Sequence, residues 1–110
     1  MTKQEYIIVY GYIQKNLLYS VTFSKFRSCH CFISDDTVTY NGKRYILIKS
    51  YKTFVAFVDI ENEVFVEIGK FSSTTSKQCT QIHNTCFRDF QRINCECDID
   101  FYKYDFGAFC

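Results

Sequence analysis

The sequence contains no proline and no tryptophan, and it has only four glycines among 110 residues. Without proline, its turns have to be made by Asn, Asp, Gly and Ser. It also lacks a charge excess, because thirteen basic and twelve acidic side chains leave a formal net charge of +1. Proteins that bind nucleic acid without sequence preference are usually strongly basic, so we do not expect direct nucleic-acid binding.

Long apolar runs are also missing. The apolar run at residues 6–13 is too short to span a bilayer, and residues 14–16 (Gln-Lys-Asn) interrupt it. No small-residue cleavage site of a secretory signal follows it. We therefore expect a soluble, cytoplasmic protein without membrane association. In that reducing compartment an odd number of cysteines, seven here, favours free thiols over a disulfide framework.

The chain does contain a large apolar fraction. Hydrophobic residues make up 47% of it, and 19% of its residues are aromatic, which is too apolar for a disordered segment. The length suits one domain, and no linker, internal repeat or low-complexity tract divides the chain. We predict a single domain, residues 1–110, with a core rich in aromatic rings.

The middle of the chain predicts strands. Asn41-Gly42 separates residues 37–40 from residues 43–50, and this dipeptide favours a type I′ hairpin turn because it tolerates positive φ angles. Residues 51–59 are apolar on both faces, which is typical of a central strand. Residues 63–68 alternate between apolar and polar side chains, which predicts a further strand.

The C-terminal third changes from a helical to a strand period. Apolar side chains recur every three or four residues from Cys79 to Phe90, which predicts a helix. Thr75 and Gln78 have the spacing of a capping box at its start. From residue 93 to residue 101 apolar and polar side chains alternate strictly, which predicts a half-buried strand.

The N-terminal 36 residues are open to two interpretations. Residues 6–13 and 17–23 form either two strands of a hairpin or one helix broken near Gly11, and their β-branched and aromatic content favours strands. The pattern as a whole predicts an α+β fold. We expect an antiparallel sheet of about four to six strands with one main helix, at about residues 75–90, packed on it.

Cysteine and histidine are grouped in a way that raises the question of zinc. Cys79, His83 and Cys86 share the predicted helix face, whereas Cys95 and Cys97 share the buried face of the next strand, and we expect these faces to meet. In Cys-x-Cys on a regular strand, however, the two sulfurs are about 7 Å apart, which is too far for one tetrahedral ion. We therefore expect core packing, with no metal and no cofactor.

Catalysis is weakly supported. Cys79 and His83 lie four residues apart on the predicted helix and could touch, but no glycine-rich oxyanion loop accompanies them. The other histidine, His30, stands between Cys29 and Cys31 as a second candidate ligand cluster, far away in sequence. We therefore predict that the protein is not an enzyme.

Two sets of side chains are candidates for contact with a partner. Carboxylates on the predicted last strand face solvent as an acidic stripe, which could imitate nucleic-acid phosphates or complement a basic partner. Exposed tyrosines are suited to anchor an interface because Tyr buries a large area at low entropy cost. The predicted partner-binding residues are Glu96, Asp98, Asp100, Tyr40, Tyr45 and Tyr102.

Two segments carry a resemblance to known proteins. Residues 51–59 (YKTFVAFVD) and 69–78 (GKFSSTTSKQ) resemble small uncharacterised proteins of phages and plasmids, which share a Y-x-T-x-V-A strand and a G-x-F-S-x-T-T-S helix start. The resemblance implies a strand–strand–helix unit and a mobile genetic element, and it brings no catalytic residues. Many proteins of this kind disable host defence, and some are anti-CRISPR inhibitors.

These observations lead to two hypotheses. The first is a non-enzymatic phage or plasmid protein that binds and inhibits a host defence effector, a protein or ribonucleoprotein such as a CRISPR-associated nuclease. The second is a zinc-stabilised or RNA-binding module, in which basic and aromatic side chains contact RNA. The candidate RNA-contacting residues are Lys43, Arg44, Tyr45 and Lys52.

Overall fold

The computed structural model describes residues 1–27, 30–69 and 72–97, which form one sheet with a helix on each face. The sheet has seven strands in the order β1-β2-β4-β5-β6-β7, and β3 pairs with the same edge of β4 as β2 does. The predicted α+β class is confirmed, with more strands than the four to six expected and two helices in place of one main helix. The elements are α1 (Lys3–Asn16), a 3₁₀ helix (Leu18–Ser20), β1 (Phe23–Lys25), β2 (Cys31–Ser34), β3 (Val38–Tyr40), β4 (Lys43–Ser50), β5 (Thr53–Asp59), β6 (Val64–Gly69), α2 (Ser73–Cys86) and β7 (Gln91–Cys97).

The Asn-Gly hairpin is confirmed. Val38–Tyr40 pairs antiparallel with the start of β4, and Tyr40 lies directly opposite Lys43. Asn41 has φ +52° and Gly42 has φ +75°, the two positive angles that a type I′ turn requires. This turn fixes the register of β3 and therefore the position of Tyr40.

The predicted central strand is also confirmed. Six of the seven residues of β5 are buried, because β4 and β6 flank it and a helix packs against each face of the sheet. The register shifts between Ile48 and Lys49, where β5 has the extra residue Val55. This bulge places Lys49 opposite Phe54.

The preference for strands at the N-terminus was wrong, because residues 3–16 form a helix. Thr2 caps it in a capping box: the Thr2 hydroxyl accepts from the Glu5 amide at 3.2 Å, and the Glu5 carboxylate accepts from the Thr2 amide at 2.9 Å. The residues that face the sheet follow helical spacing and are Tyr6, Val9, Tyr10 and Ile13. Burial of this face outweighs the strand propensity of the side chains, and the helix continues through Gly11 without a break.

The second helix was predicted correctly, with different ends. It spans Ser73–Cys86 rather than about 75–90, and Ser72 caps it by accepting from the Thr75 amide at 3.2 Å. The predicted capping box of Thr75 and Gln78 was wrong. Both side chains turn inward instead, where the hydroxyl of Ser50 donates to Gln78 Oε1 at 2.7 Å and lies 3.1 Å from Thr75 Oγ1.

The last described strand differs from the prediction in direction and regularity. β7 pairs with β6 in parallel, and residues 98–101 of the predicted strand lie outside the described residues. Opposite Glu67 and Gly69 the strand carries an extra residue, and Glu96 has φ +56° at this bulge. Cys95 is buried and Cys97 is half-buried against the same cluster, as the alternation predicted.

The core has two layers, one on each face of the sheet. The face under α1 holds aromatic side chains, among them Tyr6, Tyr10 and Phe57. The face under α2 holds mostly smaller buried side chains, including Cys79 and Ile82 of the helix itself, together with one buried ring, Phe65. We call these two sides the α1 face and the α2 face.

Candidate functional site

The outer side of α1 carries exposed apolar side chains. Ile8 is 56% exposed and Tyr12 is 41% exposed, and their spacing of four residues places them on one face of the helix. The ring of Tyr12 lies 4.3 Å from that of Tyr40, between centroids. We call these three residues, Ile8, Tyr12 and Tyr40, the Tyr12–Tyr40 patch.

The inner side of α1 explains why the patch is held in place. The hydroxyl of Tyr6 donates to the buried carboxylate of Asp59 at 2.8 Å, and that of Tyr10 donates to the carbonyl of Phe54. The Tyr10 ring also stacks on the ring of Phe54, with centroids 4.5 Å apart. Since these contacts fix the rotation of the helix, Ile8 necessarily faces away from the sheet.

Charged groups border the patch. Glu5 lies one turn before Ile8 on the helix, and Lys43 is the strand partner of Tyr40. Hydrogen bonds from the Thr2 backbone and side chain hold the pKa of Glu5 below its ordinary value, and the positive charge of Lys43 adds to this effect. An apolar centre with a polar rim is the usual composition of a protein–protein interface.

Three tyrosines were predicted to be exposed, and the structure gives a different result for each. Tyr40 is half-buried in the patch. The expectation for Tyr45 was wrong: it is 1% exposed, because β4 is covered on this face and the ring packs edge-on against Phe57. Burial, with a smaller effect from Asp59, raises the pKa of Tyr45 to about 12. Tyr102 lies outside the described residues.

One residue of the predicted acidic stripe is described. Glu96 is exposed at the bulge of β7, where its backbone amide donates to Asn94 Oδ1 at 2.7 Å. Asp98 and Asp100 lie outside the described residues. The stripe therefore stays a prediction, with Glu96 as its one described member.

The expectation that the cysteine-bearing faces meet was wrong. Cys79 belongs to the α2 face, whereas Cys95 and Cys97 belong to the α1 face, so the sheet separates them. In the parts of the chain that the structure describes, no three or more His, Cys, Asp and Glu side chains are grouped closely enough to hold a metal ion. Cys86 is exposed on the far end of α2, and Cys29 lies outside the described residues.

The geometry around Cys79 disfavours a nucleophile. The side chain is 3% exposed, and burial, with a smaller effect from the charge of Glu67, raises the pKa of its thiol to about 12. The thiol is therefore protonated near neutral pH, and a protonated thiol is a poor nucleophile. His83 has a structural contact instead: its Nε2 lies 2.8 Å from the Phe90 carbonyl oxygen, beside the ring of Phe65.

The basic residues proposed for RNA contact are not gathered on one surface. Arg44 pairs with Glu61 at 3.1 Å, and hydrogen bonds from the Arg44 backbone amide and, to a smaller extent, from its side chain hold the pKa of Glu61 below its ordinary value. Lys43 stands beside Tyr40 at the start of β4, whereas Lys52 follows the other end of that strand. Buried Tyr45 offers no ring for stacking.

Of the Tyr12–Tyr40 patch, Tyr40 was predicted from the sequence, whereas Ile8 and Tyr12 were not. The signal was present, because Ile8 and Tyr12 fall between the inward positions 6, 9, 10 and 13 of a helical pattern. An apolar residue at an outward position of an amphipathic helix is the type of residue that binds a partner. Because the segment was interpreted as strands, these outward apolar residues were not recognised.

None of the helices in the described part of the chain is long and apolar enough to cross a membrane.

The comparisons with known proteins assign a family. No curated protein and no solved structure matches the chain. The model of a family of unknown function, DUF8033, matches residues 24–100, which begin within β1 and include all of β7. Because the match covers well over half of the sequence, the chain belongs to the DUF8033 family.

Proposed function

We propose that the protein is a non-enzymatic binding protein that acts in the bacterial cytoplasm and inhibits a host defence effector, such as a CRISPR-associated nuclease. The Tyr12–Tyr40 patch is the observation that carries the binding function. The context of a phage or plasmid rests on the resemblance of residues 51–59 and 69–78 to proteins of mobile elements. The occupant to which we commit is a host effector protein.

The patch has the chemistry of an interface centre. Tyrosine is enriched among the residues that dominate binding energy, especially where its ring is held by neighbours before binding. Tyr12 and Tyr40 support each other by ring contact, so little side-chain freedom is lost when a partner covers them. Ile8 adds a purely apolar contact at the same site.

The positions of the other candidate groups favour binding over chemistry. The cysteine with a histidine on its helix, Cys79, is buried and protonated, and the sheet separates it from Cys95. The patch itself consists of two tyrosines and one isoleucine, and it includes no thiol, imidazole or carboxylate. A surface of this kind is suited to stabilise a complex.

An affinity capture tests the proposal. The tagged protein, expressed in a bacterium with an active CRISPR system, should co-purify subunits of the effector complex and reduce its interference with a targeted plasmid. The variant Ile8→Glu places a charge in the patch and should abolish both effects. Ser76→Glu adds the same charge at an exposed position of α2 and should abolish neither.

Two results would count against the proposal. The first is a capture in which no nuclease or effector subunit is enriched over an untagged control. The second is equal loss of capture in Ile8→Glu and Ser76→Glu, with both variants folded by circular dichroism. The second result would mean that the effector does not bind at the Tyr12–Tyr40 patch.

A further inference from the structure

The near-zero net charge conceals a strong separation of charge along the chain. Residues 1–58 contain eight basic and three acidic side chains, whereas residues 59–110 contain five basic and nine acidic ones. Between Glu5 and Asp35, and again between Asp36 and Asp59, no acidic residue occurs. β1, β2 and β4 carry four basic side chains and no acidic one, whereas β6 and β7 carry Glu67, Arg92 and Glu96. The edge of the sheet to which β1, β2 and β4 belong is therefore basic.

Four side chains of that basic edge lie together on the α1 face. Lys25, Phe32 and Lys49 are directly opposite one another across β1, β2 and β4, and this row continues to Phe54 in the core of the α1 face. Directly opposite residues of neighbouring strands point to the same side of a sheet. Phe23 stands two residues from Lys25 on β1 and therefore shares their side. We call Phe23, Lys25, Phe32 and Lys49 the basic strand surface.

The surface lies beyond the cover that α1 provides. The helix packs nearest to β6 and β7, whereas β1 and β2 lie at the opposite edge. Lys25 is exposed, and Phe23 and Phe32 are half-buried. Phe23 touches the rim of the α1-face cluster, and Phe32 is a member of neither cluster in the described part of the chain. Phe32 therefore contributes surface rather than core.

The cation and the rings are already in contact. Lys49 Nζ lies 4.2 Å from the centroid of the Phe23 ring and 5.9 Å from that of Phe32, within the range of a cation–π interaction. The acidic residues nearest to β2 along the chain are Asp35 and Asp36, and the Asp35 carboxylate accepts a hydrogen bond from the Ser24 hydroxyl. Among the described residues the ion pairs are Arg44–Glu61 and Arg92–Glu67, so neither Lys25 nor Lys49 is paired with a carboxylate there.

We propose that the basic strand surface binds single-stranded nucleic acid. Lysine ammonium groups attract the phosphates, and aromatic rings on an open strand surface stack with unpaired bases, which is the combination that single-strand-binding sites use. The ring face of Phe23 that Lys49 covers is available to a base once the ammonium turns to a phosphate. A duplex satisfies the phosphate contacts but hides its base faces, so single strands are the preferred ligand.

This inference stands apart from the proposed inhibition of a host effector. It uses different residues on a different part of the sheet, and it needs no protein partner. Either one can fail while the other holds. The expectation that nucleic acid is not bound was based on the net charge of the whole chain, which does not show that basic side chains are concentrated on β1, β2 and β4.

Fluorescence anisotropy with a labelled oligopyrimidine RNA of about ten nucleotides, the length that such sites cover, tests the inference. The wild-type protein should bind at low ionic strength, with affinity that falls as salt is added. Phe32→Ala should weaken binding by about 5- to 150-fold through loss of stacking. Lys25→Glu should weaken binding and lower the slope of affinity against salt by about one phosphate contact or more.

Matched controls separate these effects from folding and bulk charge. Lys77→Glu makes the same charge change at an exposed position on α2 and should bind as the wild type does. Thermal melting reports whether Phe32→Ala is folded, and Lys25→Glu tests the surface independently because its exposed side chain is not part of the core. Equal weakening by Lys77→Glu and Lys25→Glu would overturn the proposal.

Two competitors distinguish the ligand. Single-stranded RNA should displace the label better than a duplex of the same length, and better than polyglutamate, which offers charge without bases. Equal competition by polyglutamate would mean that the surface binds any polyanion, such as an acidic protein segment, and would overturn the assignment to nucleic acid. Absence of wild-type binding at low ionic strength would overturn it as well.

Discussion

The two helices cover opposite faces of one sheet, yet they differ in the side chains that they present to solvent. α1 is apolar on both sides: it buries Tyr6 and Tyr10 and still exposes Ile8 and Tyr12. α2 is polar outside, and on its inner side it is held partly by the hydrogen bond that the Ser50 hydroxyl donates to Gln78. A helix needs only one apolar face to pack on a sheet, so the second apolar face of α1 is an excess that folding does not explain.

The largest expected effect on stability concerns the side of α1 that packs on the sheet. Tyr10→Ala removes a fully buried ring, its stack on Phe54 and a buried hydrogen bond, and it should lower the free energy of unfolding by about 3–5 kcal/mol. The neighbouring change Tyr12→Ala removes an exposed ring and should cost about 1 kcal/mol or less. Urea denaturation measures both. Equal losses would mean that the inward and outward sides of α1 are wrongly assigned.

Alkaline pH should weaken both faces of the core. The pKa values of Cys79 and Tyr45 are about 12 in the folded protein, above the ordinary values of 9.0 and 10.0 that apply to the unfolded chain. Between these values the unfolded chain gives up protons that the folded protein keeps. The stabilisation is thus fully present below about pH 9 and is lost as pH rises toward about 12.

A comparison of variants isolates the contribution of the α2 face. The fall in unfolding free energy above about pH 9 should be smaller in Cys79→Ala than in the wild type. It should be unchanged in Cys86→Ala, because Cys86 is exposed on the same helix. If the unfolding free energy of Cys79→Ala fell with pH as steeply as that of the wild type, the Cys79 thiol would not be sequestered from solvent.

The polar anchor of α2 should have a smaller effect than the aromatic anchor of α1. Gln78→Ala removes the acceptor of the Ser50 hydroxyl but leaves Thr75 within hydrogen-bond distance of Ser50. The expected loss is about 1 kcal/mol in the free energy of unfolding, measured against Ser76→Ala on the exposed side. A loss as large as that of Tyr10→Ala would contradict the comparison.

The smallest effect on stability is expected for the acidic stripe. Changing Glu96 to Gln together with Asp98 and Asp100 to Asn should alter the unfolding free energy by at most about 0.5 kcal/mol, since Glu96 is exposed. If the stripe adds to effector binding, the triple variant should associate more slowly at low ionic strength. Unchanged association there would eliminate imitation of nucleic-acid charge while leaving the Tyr12–Tyr40 patch intact as an interface.

The sequence predicted the parts of the fold whose signal is local. Asn41-Gly42 determined the hairpin through its φ angles, and the apolar period from Cys79 determined the second helix. For α1 two local signals disagreed, and strand propensity was given more weight than the spacing of positions 6, 9, 10 and 13. The Thr2–Glu5 capping box was the signal that would have decided between them.

Other features depended on tertiary contacts that no local pattern contains. Alternation shows that β7 is half-buried, but it does not show which strand it joins or in which direction. Tyr45 is buried because α1 covers the sheet on its side, and an α1 predicted as strands could not supply that cover. The same error concealed the contact of Tyr12 with Tyr40, so the best candidate interface emerged only from the fold.

The proposed function depends most on binding of an effector protein to the outer side of α1. The direct test is the affinity of the captured effector complex for two variants that each remove one exposed tyrosine. Tyr12→Ala alters the patch, whereas Tyr51→Ala, at a residue 55% exposed, alters the opposite end of β4. We predict that Tyr12→Ala weakens binding by about 30-fold or more, as for a residue that dominates an interface, and that Tyr51→Ala changes it by less than about threefold. Equal affinities of both variants and the wild type would contradict it.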